Sequence, residues 1–222
     1  MKKILIVAPH PDDETLGCGG TILKYKAIGN QVYWLILTNI LQQDKYGKKA
    51  INSRQQEIDA AARAYNFDEF FKLDFPATKL DTLPKRQIIE RVTDVIGKIK
   101  PEVVYIPNRS DVHSDHRVTF DVMVSATKTF RYPFIKKILM YEVISETEFA
   151  PAVLDNAFIP NSFSDITNYM DKKLAIMKIY KNELRRFPFP RSKENIKALA
   201  TFRGATAALK YAEAFTILKE IW

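Results

Sequence analysis

The sequence is poor in cysteine and histidine, with one cysteine and three histidines among 222 residues. A lone Cys18 excludes an internal disulfide and a cysteine-rich structural zinc site, and it agrees with a reducing compartment. The chain also has no apolar run of about 18 residues, the length that a membrane span requires. The apolar residues 4–7 are too few for a signal-peptide core. We therefore expect a cytoplasmic protein without a membrane span.

The chain has a moderate excess of basic residues, 34 Lys and Arg against 26 Asp and Glu, which gives a net charge of +8. A basic balance can serve nucleic acid, an anionic membrane or a phosphorylated substrate. Here the basic residues are scattered, with one modest cluster over residues 181–203, and no nucleic-acid motif accompanies them. A solvated basic surface is the simpler interpretation. No nucleic-acid partner is predicted, and a non-enzymatic basic binding protein is kept as an alternative.

Short apolar segments alternate five times with helical patterns, and 46% of the residues are hydrophobic. Predicted strands cover residues 3–8, 31–38, 69–74, 102–106 and 137–143. Predicted helices cover residues 15–28, 53–65, 84–100, 115–130, 166–184 and 192–210. This alternation predicts one α/β domain over residues 1–222, with a Rossmann-like open sheet, mostly parallel, and helices on both faces. Residues 39–50 are predicted to form a polar loop.

The first polar motif, Val-Ala-Pro-His-Pro-Asp-Asp-Glu, occupies residues 7–14 at the end of the first predicted strand. Open α/β sheets bind ligands at the carboxyl ends of their strands. Two adjacent carboxylates, Asp12 and Asp13, repel each other, and a cation that also accepts the His10 imidazole would relieve that cost. Consecutive side chains point apart, so one carboxylate is predicted to be a ligand and the other a general base. The alternative is that these residues only cap a turn and the following helix.

The second motif, His-Ser-Asp-His, begins at His113 just after another apolar run, so all three histidines follow predicted strands. His10, Asp13 and His116 would give the three-ligand pattern of an open, catalytic zinc site. If the Asp115 side chain bonds His113, it favours an imidazolium that stabilises an oxyanion or protonates a leaving group. The alternative for His113 is a fourth metal ligand.

Arg54 and three glycines are unusual for their predicted positions. A capping box at residues 53–56 would place Arg54 in the first helical turn, where the helix dipole disfavours a cation. It is either solvated or bound to an anionic or polyhydroxyl substrate.

Gly17, Gly19 and Gly20 weaken the first predicted helix and indicate close backbone approach to another group. Their spacing is not that of a dinucleotide fingerprint, and the neighbouring carboxylates would repel a pyrophosphate.

Several stretches resemble one family of enzymes. Residues 8–14 resemble the A-H-P-D-D-E signature of the LmbE-like, or PIG-L, zinc-dependent de-N-acetylases, and residues 113–116 resemble its H-x-D-H motif. The segment that begins at Arg54 is similar to its R-x-x-E helix. Arg203-Gly204, followed by Tyr-Ala-Glu-Ala-Phe, is similar to its C-terminal stretch. One departure is Asp111, where some members carry a tyrosine proposed to assist the oxyanion.

The resemblance implies roles for particular residues. His10, Asp13 and His116 would hold one Zn2+ per chain, and Asp12 would be the general base. His113, oriented by Asp115, would stabilise the tetrahedral intermediate or assist the leaving amine. Arg54 would contact the sugar.

The implied reaction is hydrolysis of an N-acetyl group from an amino sugar of the N-acetylglucosamine type. The basic charge makes a phosphorylated or nucleotide-linked sugar conjugate one form of this small-molecule substrate. Another zinc amidase or a phosphoesterase on the same residues is the alternative. The sequence leaves open whether the chain forms a homo-oligomer.

Overall fold

Seven strands form one sheet in the part of the chain that this computed structural model describes, residues 1–41 and 46–222. The strands are β1 (Lys3–Ala8), β2 (Gln31–Asn39), β3 (Glu69–Pro76), β4 (Val103–Pro107), β5 (Lys137–Tyr141), β6 (Ser162–Asp165) and β7 (Ala212–Glu220). Their spatial order is β3-β2-β1-β4-β5-β7-β6. The first five are parallel neighbours, whereas β7 runs antiparallel to both β5 and β6. The predicted open, mostly parallel sheet is confirmed.

Six α-helices cover the two faces of the sheet in the described residues. They are α1 (Asp13–Ala27), α2 (Lys48–Tyr65), α3 (Lys85–Ile99), α4 (Ser114–Ala126), α5 (Met170–Met177) and α6 (Lys193–Thr206). Short 3-10 turns lie at Leu80–Thr82, Leu154–Asn156 and Thr167–Tyr169. None of the helices in the described ranges has the length and apolar character that a bilayer crossing requires.

Alternating strand residues supply two separate cores. Ile4 and Ile6 of β1 pack with residues of α1, α2, α5 and α6, whereas Leu5 and Val7 pack with residues of α3 and α4. Successive strand side chains point to opposite faces, so a strand that is buried on both sides is apolar throughout. This explains the continuous apolar run of β1 and confirms helices on both faces.

The chain reverses its direction of winding between β1 and β4. From β1 it proceeds outward through β2 to β3 and then returns to place β4 on the other side of β1. Loops that leave two adjacent parallel strands toward opposite sides open a crevice at their carboxyl ends. Residues 9–12 and 108–113 are the two loops at this point.

Helix α2 begins at Lys48, so the prediction of a helix start at Ser53 is wrong. Gly47 occupies the position before the first helical residue, and the segment Lys48 to Ala50, predicted as loop, is helical. Lysine and alanine favour helix, and the four-residue capping pattern is too short to exclude an earlier start. Part of the predicted 39–50 loop, residues 42–45, lies outside the described residues.

The C-terminal third departs most from prediction. The predicted helix over residues 166–184 is wrong in extent, because only Met170–Met177 is α-helical. Beyond it the chain is held by distant side chains: Tyr180 donates to Glu14 and the Lys181 amide donates to Glu57. Helix α6 does begin after Ser192, whose hydroxyl accepts from the Asn195 amide. The strands β6 and β7 were not predicted.

Strand β7 is joined to α1 through one buried ion pair. The Glu213 carboxylate accepts hydrogen bonds from the amides of Gly20 and Thr21, both at 2.8 Å. It also pairs at 2.7 Å with Lys173, whose ammonium group donates to the Leu16 carbonyl. Both charged side chains are about 5% exposed or less. A buried ion pair needs such additional hydrogen bonds to offset its desolvation.

The close backbone approach predicted for the α1 glycines is found at Gly17. A Cβ atom added there would lie 2.2 Å from the ring of Tyr141, which is fully buried and donates a hydrogen bond to the Val7 carbonyl. Real Cβ atoms do not approach so closely, so this ring could remain in place only beside glycine. The glycine therefore sets the distance between α1 and β5.

We predict that Gly17→Ala destabilises the fold by about 1–3 kcal/mol, because overpacking forces the Tyr141 ring or the helix to move. Gly97→Ala is the matched control, since Gly97 is an exposed residue of α3 with no atom near the added Cβ. It should stabilise the protein by about 0.5–1 kcal/mol through helix propensity. Chemical denaturation of both variants measures the two effects, and equal stabilities would contradict this account.

Candidate active site

The three histidines come together at the switch between β1 and β4. The β1 loop carries His10 and the β4 loop carries His113, whereas Asp13 and His116 lie in the first turns of α1 and α4. The ring centroids of His10 lie 4.5 Å from His113 and 5.3 Å from His116. The parallel pairing of β1 with β4 brings these sequence-distant motifs to one edge of the sheet.

Three donor atoms form a nearly equilateral triangle. His10 Nδ1 lies 3.4 Å from Asp13 Oδ2, His116 Nε2 lies 3.3 Å from the same oxygen, and the two nitrogens lie 3.3 Å apart. A tetrahedral ion with bonds of about 2.0–2.1 Å separates its ligands by about 3.3 Å. His10, Asp13 and His116 therefore form a possible metal-binding group with suitable spacing.

An unsatisfied oxygen lies in the same place. Among the described residues, Asp13 Oδ1 is buried without a hydrogen-bond partner. Burial opposes protonation of His10, but hydrogen bonds to Asp115 and Asp13 raise its pKa to about 9. Burial also opposes protonation of His116, but Asp13 and Asp111 raise its pKa. A proton is thus attracted to these donors, and a cation would satisfy both the carboxylate and the imidazoles.

Each imidazole in the triangle is oriented by its own aspartate. His10 Nε2 lies 2.9 Å from Asp115 Oδ2, and His116 Nδ1 lies 2.8 Å from Asp111 Oδ2. A ring N–H donated to a carboxylate leaves the other nitrogen with its lone pair toward the triangle. This carboxylate–imidazole arrangement is typical of metal-binding histidines.

The Asp115 carboxylate therefore contacts His10, where the sequence predicted a contact with His113. It also accepts hydrogen bonds from the amides of Thr78 and Leu80. His10, His113 and Asp115 form a second group of close donor atoms. We favour the first group, because the Asp115 oxygens are already satisfied whereas Asp13 Oδ1 is not.

His113 precedes α4, and its Nδ1 accepts a hydrogen bond of 3.0 Å from the Asp115 backbone amide. Burial, together with the neighbouring His10 and His116, lowers the pKa of His113 to about 4. The ring is therefore neutral near pH 7, and with Nδ1 accepting it carries its proton on Nε2. This differs from the expected imidazolium: His113 offers a neutral N–H donor.

Asp12 has a strained backbone and a buried carboxylate. Its φ of 132° is rare for a residue with a side chain, and its side chain does not cap α1. Its Oδ2 instead accepts a hydrogen bond of 2.7 Å from Arg191 Nη1. Burial raises the pKa of Asp12, and Arg191 opposes the rise. Strain of about 1–3 kcal/mol persists only where surrounding contacts impose it, and such residues cluster at active sites.

Arg54 reaches the same cavity but is already paired. It donates to the Pro11 carbonyl at 3.2 Å and to Glu183 at 2.9 Å, and Glu57 lies 3.6 Å away. Because α2 begins at Lys48, Arg54 lies in its second turn and the helix dipole argument no longer applies. The ion pair with Glu183 explains the position of this cation.

An open cavity of about 200 Å³ lies above these groups. Its wall includes His10, Asp12, Arg54, His113, Glu146, Glu183 and Arg191. A larger cavity of about 770 Å³ lies between the 142–158 segment and α6, and apolar side chains dominate its lining. The smaller cavity is the candidate active site, because convergent polar groups distinguish a reaction site better than volume does.

Sequence reasoning missed four charged residues of the site: Asp111, Glu146, Glu183 and Arg191. Asp111 had a usable signal, since it lies five residues before His116 at the same strand end. Arg191 contacts Asp12, Glu183, Ser145 and Glu146, all at 3.2 Å or less. No local pattern marked Glu183 or Arg191: Glu183 lies in the predicted helix over residues 166–184, and Arg191 lies between that helix and the one predicted to begin at residue 192.

Known proteins share the sequence pattern and the fold of this chain. The chain is 24% identical over 229 residues to diacetylchitobiose deacetylase of Thermococcus kodakarensis, covering 100% of this chain and 85% of the relative. A conserved protein of Thermus thermophilus has a TM-score of 0.80 at 26% identity, covering 100% of this chain and 97% of that one. The N,N'-diacetylchitobiose deacetylase of Pyrococcus horikoshii has a TM-score of 0.78 at 23% identity, covering 98% and 84%.

A family profile gives the assignment. The profile of PIG-L, described as GlcNAc-PI de-N-acetylase, matches residues 5–127, more than half of the chain. The matched segment contains most of β1, all of β4 and both histidine motifs. The chain therefore belongs to the PIG-L family.

Proposed function

We propose that this protein is a metal-dependent hydrolase that removes the N-acetyl group from an amino sugar conjugate. The observation that carries the proposal is the triangle of donor atoms from His10, Asp13 and His116, together with the second Asp13 oxygen, which is buried and has no hydrogen-bond partner. Membership of the PIG-L family and the deacetylase names of the relatives support the same reaction class. We regard residues 1–222 as one deacetylase domain, supported by the single continuous sheet.

His10, Asp13 and His116 would hold one divalent ion, and zinc suits two imidazoles and one carboxylate. When bound, such an ion supplies a Lewis acid that lowers the pKa of an attacking water and polarises the acetamide carbonyl. Asp111 and Asp115 are positioning residues in this proposal, since each fixes one imidazole through its remote nitrogen. This replaces the role first assigned to Asp115.

Asp12 is the proposed general base. Its side chain lines the same cavity as His10, and Arg191 donates a hydrogen bond of 2.7 Å to its Oδ2. It would take the proton of the water whose oxygen attacks the acetamide carbon, and then deliver that proton to the sugar nitrogen. Cleavage of the C–N bond releases acetate and the free amine.

His113 is the proposed oxyanion donor. Its neutral ring faces the cavity, and its Nδ1 is occupied by the Asp115 amide. The remaining Nε2–H can donate to the oxygen that gains negative charge as the carbonyl is attacked. Arg54 would contact the sugar as part of the cavity wall. It would not act as a free cation, because it is paired with Glu183.

We predict that purified protein contains about one zinc per chain and that His116→Ala loses it, since removal of one of three ligands abolishes tight binding. Elemental analysis after dialysis measures both values. His113→Ala is the matched control, because this ring lies beside the triangle without belonging to it. Loss of metal from His113→Ala would instead make His113 a fourth ligand.

We predict that Asp12→Asn retains the metal but lowers kcat for acetate release by about 10²–10⁴-fold, the range for loss of a general base. The amide preserves the side-chain volume, but it removes the ability to accept a proton and the negative charge that pairs with Arg191. Acetate release from N-acetylglucosamine conjugates, with phosphate release from phosphoesters measured in parallel, checks the reaction class. A normal rate of acetate release in Asp12→Asn would refute the role of Asp12.

We predict that His113→Ala lowers kcat by about 10²–10³-fold, as for other single oxyanion donors, with a smaller effect on KM. The donor acts mainly on the charge that develops in the transition state. Steady-state kinetics of metal-loaded protein separate the two constants. An effect confined to KM would show instead that His113 only binds the ground-state sugar.

A further inference from the structure

The wall of the active-site cavity contains a bridging carboxylate. Glu183 Oε1 lies 2.9 Å from Arg54 Nη2, and Glu183 Oε2 lies 2.8 Å from Arg191 Nη1. One carboxylate thus binds both guanidinium groups at the cavity. All three side chains remain partly exposed, with a relative side-chain exposure of 25% for Glu183 and 15–17% for the arginines.

Both arginines are already paired with carboxylates. Arg191 also pairs with Asp12 at 2.7 Å and with Glu146 at 3.2 Å, and its Nε donates to Ser145. Within the described part of the chain, these two arginines are the only lysine or arginine side chains that line the cavity. A phosphate or carboxylate that bound either one would compete with Glu183 for the guanidinium charge and would meet that carboxylate as a like charge, which is unfavourable.

The local charge is opposite in sense to the net charge of the chain. The carboxyl groups in and directly behind the cavity are Asp12, Asp13, Asp111, Asp115, Glu146 and Glu183. They outnumber the two guanidinium groups even after a divalent ion is added to the triangle. The net charge of +8 is therefore a property of the outer surface and does not describe this cavity.

We propose that Glu183 is a specificity-determining residue that makes the site select uncharged N-acetyl sugar conjugates over phosphorylated or carboxylated ones. This inference rests on the proposed function and names its substrate class. A sugar hydroxyl both donates and accepts hydrogen bonds, so it can join paired carboxylate and guanidinium groups without separating them. An anionic group only accepts, and it meets the surrounding carboxylates as a like charge.

The test compares N-acetylglucosamine with N-acetylglucosamine 6-phosphate, which differ by one anionic group. Acetate release gives kcat/KM for each sugar with metal-loaded wild type, Glu183→Gln and the control Glu90→Gln, whose carboxylate is on the exposed surface of α3. Wild type and control should prefer the neutral sugar. Glu183→Gln should shift the ratio toward the phosphorylated sugar by about tenfold, which corresponds to about 1.4 kcal/mol.

A merely structural role for Glu183 gives a different result. If the residue only holds Arg191 and Asp12 in place, Glu183→Gln lowers kcat for both sugars equally and leaves their ratio unchanged. That outcome, or a wild type that prefers the phosphorylated sugar, overturns the inference while the deacetylase function stands.

Calorimetric binding of both sugars to the metal-loaded proteins separates this inference from the proposed function. If neither sugar releases acetate, the proposed activity on these sugars fails, and the ratio of the two dissociation constants still decides the inference. The inference is supported if wild type binds the neutral sugar more tightly and Glu183→Gln loses this preference. Equal binding of both sugars by wild type overturns it.

Discussion

Two hydrogen bonds between aspartate and histidine organise the centre of this molecule. Asp115 holds the Nε2 side of His10, and Asp111 holds the Nδ1 side of His116, so the remaining ring nitrogens face each other and Asp13. Both aspartates follow β4, whereas His10 follows β1. The site therefore depends on the parallel pairing of these two strands, and two aspartates outside the triangle of donor atoms determine which ring nitrogens face it.

The C-terminal segment completes the site from a distance. Glu213 and Lys173 join β7 and α5 to α1, the helix that carries Asp13 in its first turn. Between α5 and α6 the chain leaves helical structure and brings Glu183 and Arg191 to the cavity. Thus the two histidine motifs lie within residues 7–116, whereas Glu146, Glu183 and Arg191 of the cavity wall come from later in the chain.

Much of the fold was predictable because its cause is local. The five parallel strands were found from apolar runs, since strands covered on both faces must be apolar throughout. The C-terminal strands were not predictable in this way, because β7 contains Ala, Glu and Lys and pairs antiparallel near the edge of the sheet. The start of α2 was missed because a short capping pattern at Ser53 was outweighed by helix-forming residues before it.

The sequence by itself determined that His10, Asp13 and His116 would meet, because parallel neighbouring strands end at the same edge and both motifs follow such strands. Tertiary structure alone decided that the Asp115 carboxylate would bond His10, with only the Asp115 backbone amide bonding His113, and that Glu183 would bridge Arg54 and Arg191. The physical reason is the range of the interactions along the chain. The positions of the strands follow from local periodicity, whereas the partner of a carboxylate depends on which distant side chains the packed loops bring within hydrogen-bonding distance.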